Sequence, residues 1–295
     1  MLHKKYDINT YSRGPFHIHK GEHMLDSADF RELLTRQSID LPVFHPVALK
    51  LTLMLPDPYS DFDDIVRVIS EDQALSAQVL KMSNSSAYMG LEKAETIKAS
   101  AIRLGVHQIS VLAMAASQAS LHISGNGVIN DLMRELWQHS LSCAIGCWWV
   151  AQNTNNQSIL EHAYLAGLLH DIGKLYLLKA VEHVIPNSTL PLTVERNALI
   201  KIFNEMHVEQ GCRIMDHWNI PPIYRTVVAS HHDEVCDPVD TLLTIVRLVN
   251  TVSQKIGLSL DPEPRPIPEA VTLDLDESQM EKLESVMTNF CDVST

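Results

Sequence analysis

The chain has 295 residues, 45% of them hydrophobic and 20% charged, with a mean hydropathy of −0.01. This is the balance of a soluble globular protein, long enough for one large helical domain or two of common size. No window approaches the ~18 consecutive apolar residues of a membrane span, and the first residues, MLHKKYDINTYSRG, carry no apolar signal core. Five cysteines without disulfide-framework spacing read as reduced thiols, so the expectation is a cytoplasmic protein with no membrane partner. The net charge of −13, with basic clusters only at residues 3–5 and 17–20, argues against direct nucleic-acid binding.

Residues 1–25 read as an N-terminal extension. From about residue 26 to residue 257 nearly every segment has apolar residues three and four apart, the period of an amphipathic helix. Helices are expected over residues 28–36, 46–54, 61–70 and 73–82. Pro46 suits a first helical position, and Ser60 suits a cap, followed by Asp63 and Asp64 in an acidic first turn. The segment NSSAY (residues 84–88) reads as a helix terminus, and Leu104-Gly105 as a C-cap. SGNGVIN (residues 124–130) is the best hinge, dividing a first helical subdomain (26–123) from a second helical bundle (131–257). Trp148 and Trp149 fall at core spacing, and Cys143 and Cys147, four apart after His139, could ligate a metal but read as buried core thiols in their apolar surround. Past residue 258 the run DPEPRPIPEA cannot be a helix interior, and a short amphipathic helix is expected over residues 277–290. Strand signals are scarce, so the fold class is all-α.

The chemistry concentrates in the second half, where many of the 15 histidines lie. AGLLHDIGKL delivers adjacent His170 and Asp171, then Gly173 and Lys174. Neighbours on a helix point about 100° apart, so the pair can meet one ion only near a helix end or break, which Gly173 would permit. Upstream, Glu135 and His139 stand four apart on one helical face. Downstream come His207 in HVEQG and the pair His231–His232 in ASHHDE. Imidazoles with a carboxylate suit one or two divalent ions of Fe, Mn, Zn or Ni, and two ions would activate a water and clamp a phosphoryl oxygen.

This order of residues is similar to the HD superfamily of metal-dependent phosphohydrolases, and its spacing to the HD-GYP branch. The first half resembles the HDOD domain, a bacterial signalling relative of the HD hydrolases. The resemblance rests on LPVFHPVALKLTLMLPDP, IVRVISEDQALSAQVLKMSNSSAYMG and IKASAIRLG, and covers roughly residues 33–232. It implies an N-terminal helical subdomain packed on an HD-like helical bundle. His139, His170 and Asp171 would hold one metal and Asp171 would bridge to a second, completed by His207, His231 and His232. Glu135 would be an additional acidic ligand, and Lys174 would stand near the reacting phosphate, with Asp171 and Lys174 the catalytic residues. Two departures count against cyclic-di-GMP hydrolysis. Asn250 stands where HD enzymes place a further metal-binding aspartate, and no Gly-Tyr-Pro segment follows the paired histidines. The resemblance therefore implies a bacterial signal-transduction protein with a metal-binding site, acting through signalling protein partners. The alternative is an active phosphohydrolase whose ligand is a nucleotide-type phosphate ester. A third reading is a metal- or redox-sensing switch.

Overall fold

A computed structural model describes residues 23–24, 30–32, 34, 46–54, 61–85, 88, 93–119, 121–187, 192–193, 195–233, 239–260, 266 and 268–291. Among the described residues the fold is all-α, relieved by one pair of two-residue strands. The first half holds α1 (Pro46–Met54), α2 (Phe62–Ser70), α3 (Gln73–Ser83), α4 (Ile97–Leu104) and α5 (Val106–Ala119). Of the expected 28–36 helix, residues 30–32 and 34 are described and helical. Pro46 opens α1 as its fixed φ favours. The cap of α2 is Asp61 rather than Ser60, which lies outside the described residues: the Asp61 carboxylate accepts from Asp64 N at 2.7 Å. Asp72 does the same for α3, and Gly105 ends α4 at φ 87°. Asn84 closes α3, and its amide bonds both the N–H and the carbonyl of Ala94, fastening the turn.

Helix α5 joins the halves. Ile109 through Gln118 are buried without interruption, the pattern of a helix covered on every side. It packs against α1, α2, α3 and α4, and also against the second bundle. That bundle is built on α6 (Gly127–Asn153), α7 (Leu160–Leu169), α8 (Ile172–Asn187), α9 (Arg196–His217), α10 (Pro222–Ser230) and α11 (Thr241–Lys255). Helix α6 packs on α7, α8 and α11, and α9 on α8 and α10. At the expected hinge, Asn126 caps α6, and Ser124 Oγ donates to Glu182 of α8 at 2.5 Å.

The tail folds back onto the bundle. Pro268 opens α12 (Pro268–Thr272), so the Pro-rich run supplies a helix start, and α13 (Glu277–Cys291) lies against α6 and α11. Leu283 and Met287 of α13 are fully buried, and Ser142 Oγ donates to the Met287 carbonyl. Strand β1 (His23–Met24) pairs in parallel with β2 (Leu192–Thr193), between α8 and α9. No helix among the described residues is long and apolar enough to cross a membrane.

Candidate metal centre

His170 and Asp171 occupy the junction between the end of α7 at Leu169 and the start of α8 at Ile172, which lets two neighbours serve one site. Two glycines flank the junction, and each removes a methyl that would hold a helix away. A Cβ on Gly167 would lie 2.7 Å from the Cys143 carbonyl of α6, and one on Gly173 would lie 1.9 Å from the His207 carbonyl of α9. Gly173 therefore acts by admitting a neighbouring backbone; the break itself falls one residue before α8. His139 comes in from α6, His207 from α9, and His231 and His232 from the end of α10.

One buried carboxylate lies at the centre. Asp171 Oδ2 is 2.6 Å from Lys174 Nζ, 3.1 Å from His139 Nε2 and 3.5 Å from His170 Nε2. Asp171 Oδ1 faces His231 Nε2 at 3.4 Å and His207 Nε2 at 3.6 Å, and it has no hydrogen-bond partner. His232 Nε2 reaches His207 Nε2 at 3.1 Å. The ligand-type atoms of Asp171, His207, His231 and His232 lie within 4.8 Å of one another, as do those of His139, Cys143 and His170. Of these residues only His232 is partly exposed.

The tautomers follow from the backbone. Nδ1 of His170, His207 and His231 faces the carbonyls of Gly167, Phe203 and Val228 at 2.8, 2.6 and 3.0 Å. A carbonyl only accepts, so each Nδ1 carries the proton and each Nε2 turns a lone pair inward. His139 Nδ1 likewise meets the Leu258 carbonyl at 3.0 Å and Ser253 Oγ at 2.8 Å. Lone pairs directed at one another need a proton or a cation between them. Donors bonded to one metal at about 2.0–2.1 Å stand roughly 2.8–3.4 Å apart for octahedral or tetrahedral angles. The Nε2 pairs here are 3.2 Å (His139–His170), 3.4 Å (His207–His231) and 3.1 Å (His207–His232). The donor set and the orphaned Oδ1 both fit a divalent ion.

Electrostatics separate the two sides of the carboxylate. Burial pushes His170 and His207 down to about 3 and His232 to about 2, leaving neutral imidazoles as ligation requires. Burial also acts against a charged His139, but the Cys143 sulfur and the hydrogen bond to Asp171 override it and lift His139 to about 10. Burial would raise Asp171, yet Lys174 and the surrounding imidazoles hold it well below the usual carboxylate range. The carboxylate is ionised, with a cation on Oδ2 and none on Oδ1.

Glu135 is not part of this cluster: its carboxylate forms a two-bond pair with Arg196, at 2.9 and 2.5 Å. Asn250 is buried on α11, one turn from Ser253, which touches His139, and one turn from Arg247. Of three further participants, two escape sequence reasoning. Cys143, read there as a core thiol, is buried but lies 3.8 Å from His139; its place one turn after His139 is the local signal. Arg247 bonds the carbonyls of Ser230 and Asp233, bracketing His231 and His232, and its Nε bonds Glu269 of α12 at 2.9 Å. Ser253 steadies His139 from α11. No local pattern announces Arg247 or Ser253.

Comparison with known proteins agrees with this architecture. The HDOD domain matches residues 41–234. A Geobacter sulfurreducens HDOD domain protein of unknown function superposes with a TM-score of 0.71 at 21% identity, over 91% of this chain and 96% of that one. A proposed metal-dependent phosphohydrolase from Shewanella amazonensis SB2B gives 0.63 at 22% identity, over 88% and 97%. A proposed signal transduction protein from Marinobacter aquaeolei VT8 gives 0.65 at 18% identity, over 93% and 67%. At these identities the likeness is one of fold. An uncharacterized protein of Treponema pallidum (strain Nichols) is 24% identical over 199 residues, which make up 66% of this chain but only 38% of that relative. With the family match taking in most of the sequence, the chain belongs to the HDOD domain family.

Proposed function

We propose that the chain is a signal-transduction protein of the HDOD type whose buried cluster holds a divalent metal, and that it acts through protein partners. One observation carries the metal reading: Asp171 Oδ1 is buried, belongs to an ionised carboxylate and lacks a hydrogen-bond partner. A group left so costs about 1–3 kcal/mol or more, and a cation relieves it. His207, His231 and His232 supply neutral nitrogens beside that oxygen, so the first ion belongs there. On the other side Lys174 already occupies Oδ2, and a second ion among His139, Cys143 and His170 would have to compete with its charge. Imidazole with carboxylate admits Fe, Mn, Zn or Ni. When bound, such an ion supplies Lewis acidity toward an oxygen ligand. The partner reading rests on likeness of fold to a proposed signal transduction protein, an analogy rather than a site.

A second reading, hydrolysis of a nucleotide-type phosphate ester, draws on Lys174, a cation 2.6 Å from the central carboxylate that could offset charge on a phosphoryl oxygen. Burial of the donor atoms and the neutral amide of Asn250 favour the first reading. Elemental analysis of protein purified without chelator tests both, with Asp171→Asn and a His207→Ala/His231→Ala double variant beside the wild type. The first reading expects about one equivalent of metal per chain, lost in both variants, and no release of p-nitrophenol from mono- or bis-p-nitrophenyl phosphate. Folded wild type that refuses Mn, Fe, Zn and Ni would sink the metal reading. Ester cleavage abolished by Asp171→Asn would install the hydrolase in its place.

A further inference from the structure

A cavity of about 210 Å³ with no histidine in its lining opens between the N-terminal helices and the bundle. Its walls come from α3 and the turn after it, from α5 and from α6, and they are mainly apolar: Met82, Ala119, Leu141 and Ile145 among them. An apolar cavity of about 150 Å³ accommodates benzene, so 210 Å³ accommodates roughly eight non-hydrogen atoms. Gln78, Lys81, Ser85 and Tyr88 bring polar groups to this lining, and two of them stand out. Ser85 Oγ is buried without a hydrogen-bond partner. Lys81, one turn earlier on the same side, is exposed at the edge and is in no ion pair among the described residues. In a chain of net charge −13, an unpaired ammonium beside an apolar cavity with an unsatisfied hydroxyl is a matched set. The cavity takes a hydrocarbon body, and its edge takes an anionic head that can also accept a hydrogen bond.

We propose that this cavity binds a small monocarboxylate with an apolar body of about eight non-hydrogen atoms, its tail against Met82, Leu141 and Ile145 and its carboxylate between Lys81 and Ser85. The site reports on itself. Trp137 lines this cavity and also a second one of about 10 Å³ that Asp171 and His122 line, so the indole is a wall shared with the histidine cluster.

Octanoate and 1-octanol, titrated into the full chain and followed by tryptophan fluorescence and thermal shift, test the proposal. Octanoate should saturate a single site, raise the Tm and change the fluorescence, and Trp137→Phe should remove that change while keeping the thermal shift. Lys81→Gln should weaken octanoate about fivefold, the scale of one partly exposed ion pair, and leave octanol unaffected. Ala119→Leu, with Met82→Trp as a second cavity-filling variant should the first unfold, should abolish both. No binding to the wild type would overturn the proposal, as would octanoate binding that survives the filled cavity. Octanol binding as tightly as octanoate would overturn the assignment of a carboxylate.

Discussion

Replacing Gly173 by alanine places a methyl group against the α9 backbone at the point where His207 enters the cluster. The added Cβ would lie 1.9 Å from the His207 carbonyl oxygen and 2.8 Å from Gly211 N, whereas real Cβ contacts essentially never fall below 3.0 Å. The partner atoms are backbone, so α8 and α9 must part by about 1.1 Å, the shortfall between 1.9 and 3.0 Å. Two effects compete. Alanine in place of glycine inside a helix stabilises by about 1 kcal/mol on propensity alone. Overpacking of this kind costs about 1–3 kcal/mol, and a clash with backbone belongs at or beyond the upper end. Net destabilisation by about 2 kcal/mol or more is expected. Metal bonds tolerate about 0.2 Å, so a His207 imidazole displaced on the ångström scale leaves the coordination sphere, and affinity should fall about 10–100-fold or more. Urea unfolding of the metal-free protein and competition against a chromophoric chelator measure the two quantities. Gly127→Ala, in a helix at a position with nothing within 4 Å, is the control: it should leave metal affinity unchanged and should not destabilise the fold. A Gly173→Ala protein as stable as the wild type, with undiminished metal affinity, would refute the close-approach reasoning.

Further outcomes follow from the buried charges. Arg247 and Glu269 form a pair whose side chains are 5% and 8% exposed, so Glu269→Gln leaves a buried guanidinium uncompensated and should destabilise by about 3 kcal/mol in urea melts; a loss within error would show that the pair is idle. Because His139 is lifted to about 10, it carries a proton at pH 7 that an ion bound in its half of the cluster must displace. Calorimetry of a second metal equivalent in buffers of different ionisation enthalpy should then report at least one proton released, and more where the Cys143 thiol also ligates; a value near zero would contradict protonated His139. Burial and Lys179 press His122 down to about 4 despite its bond to the Gln118 carbonyl. The unfolded chain protonates this residue near 6.5, so its stability contribution is complete above pH 6.5 and is lost as the pH falls toward 4, by up to roughly 3 kcal/mol. His122→Gln should flatten that part of the stability-versus-pH curve, and parallel curves would count against a buried neutral His122.

The legibility of the sequence depended on the range of each interaction. Helices announced by local periodicity, such as α1 with its Pro46 start and the tail helix α13, lie where the apolar spacing predicts them. The clustering histidines and Asp171 were visible because helical spacing and their order along the chain carry them. Pairings across distant segments were not. Glu135 looked like a partner of His139 by its four-residue spacing, but its carboxylate meets Arg196 on α9. The β1–β2 pair is two residues long on each strand, too short to leave an alternating pattern. Gly173 stood out as a residue able to break a helix, while the reason for its lack of a side chain is the backbone of a helix more than thirty positions away. The Pro-rich run obscured the helix that brings Glu269 to Arg247, because a proline at a helix start and one in a linker look alike in sequence.

Anomalous X-ray scattering from crystals of the metal-loaded protein would locate the ion itself. The predicted result is a peak within bonding distance of Asp171 Oδ1 and of Nε2 on His207 and His231, absent from crystals of Asp171→Asn. A peak held elsewhere on the chain, or none at the absorption edges of Mn, Fe, Ni and Zn from protein loaded with each, would contradict a metal centre built on Asp171.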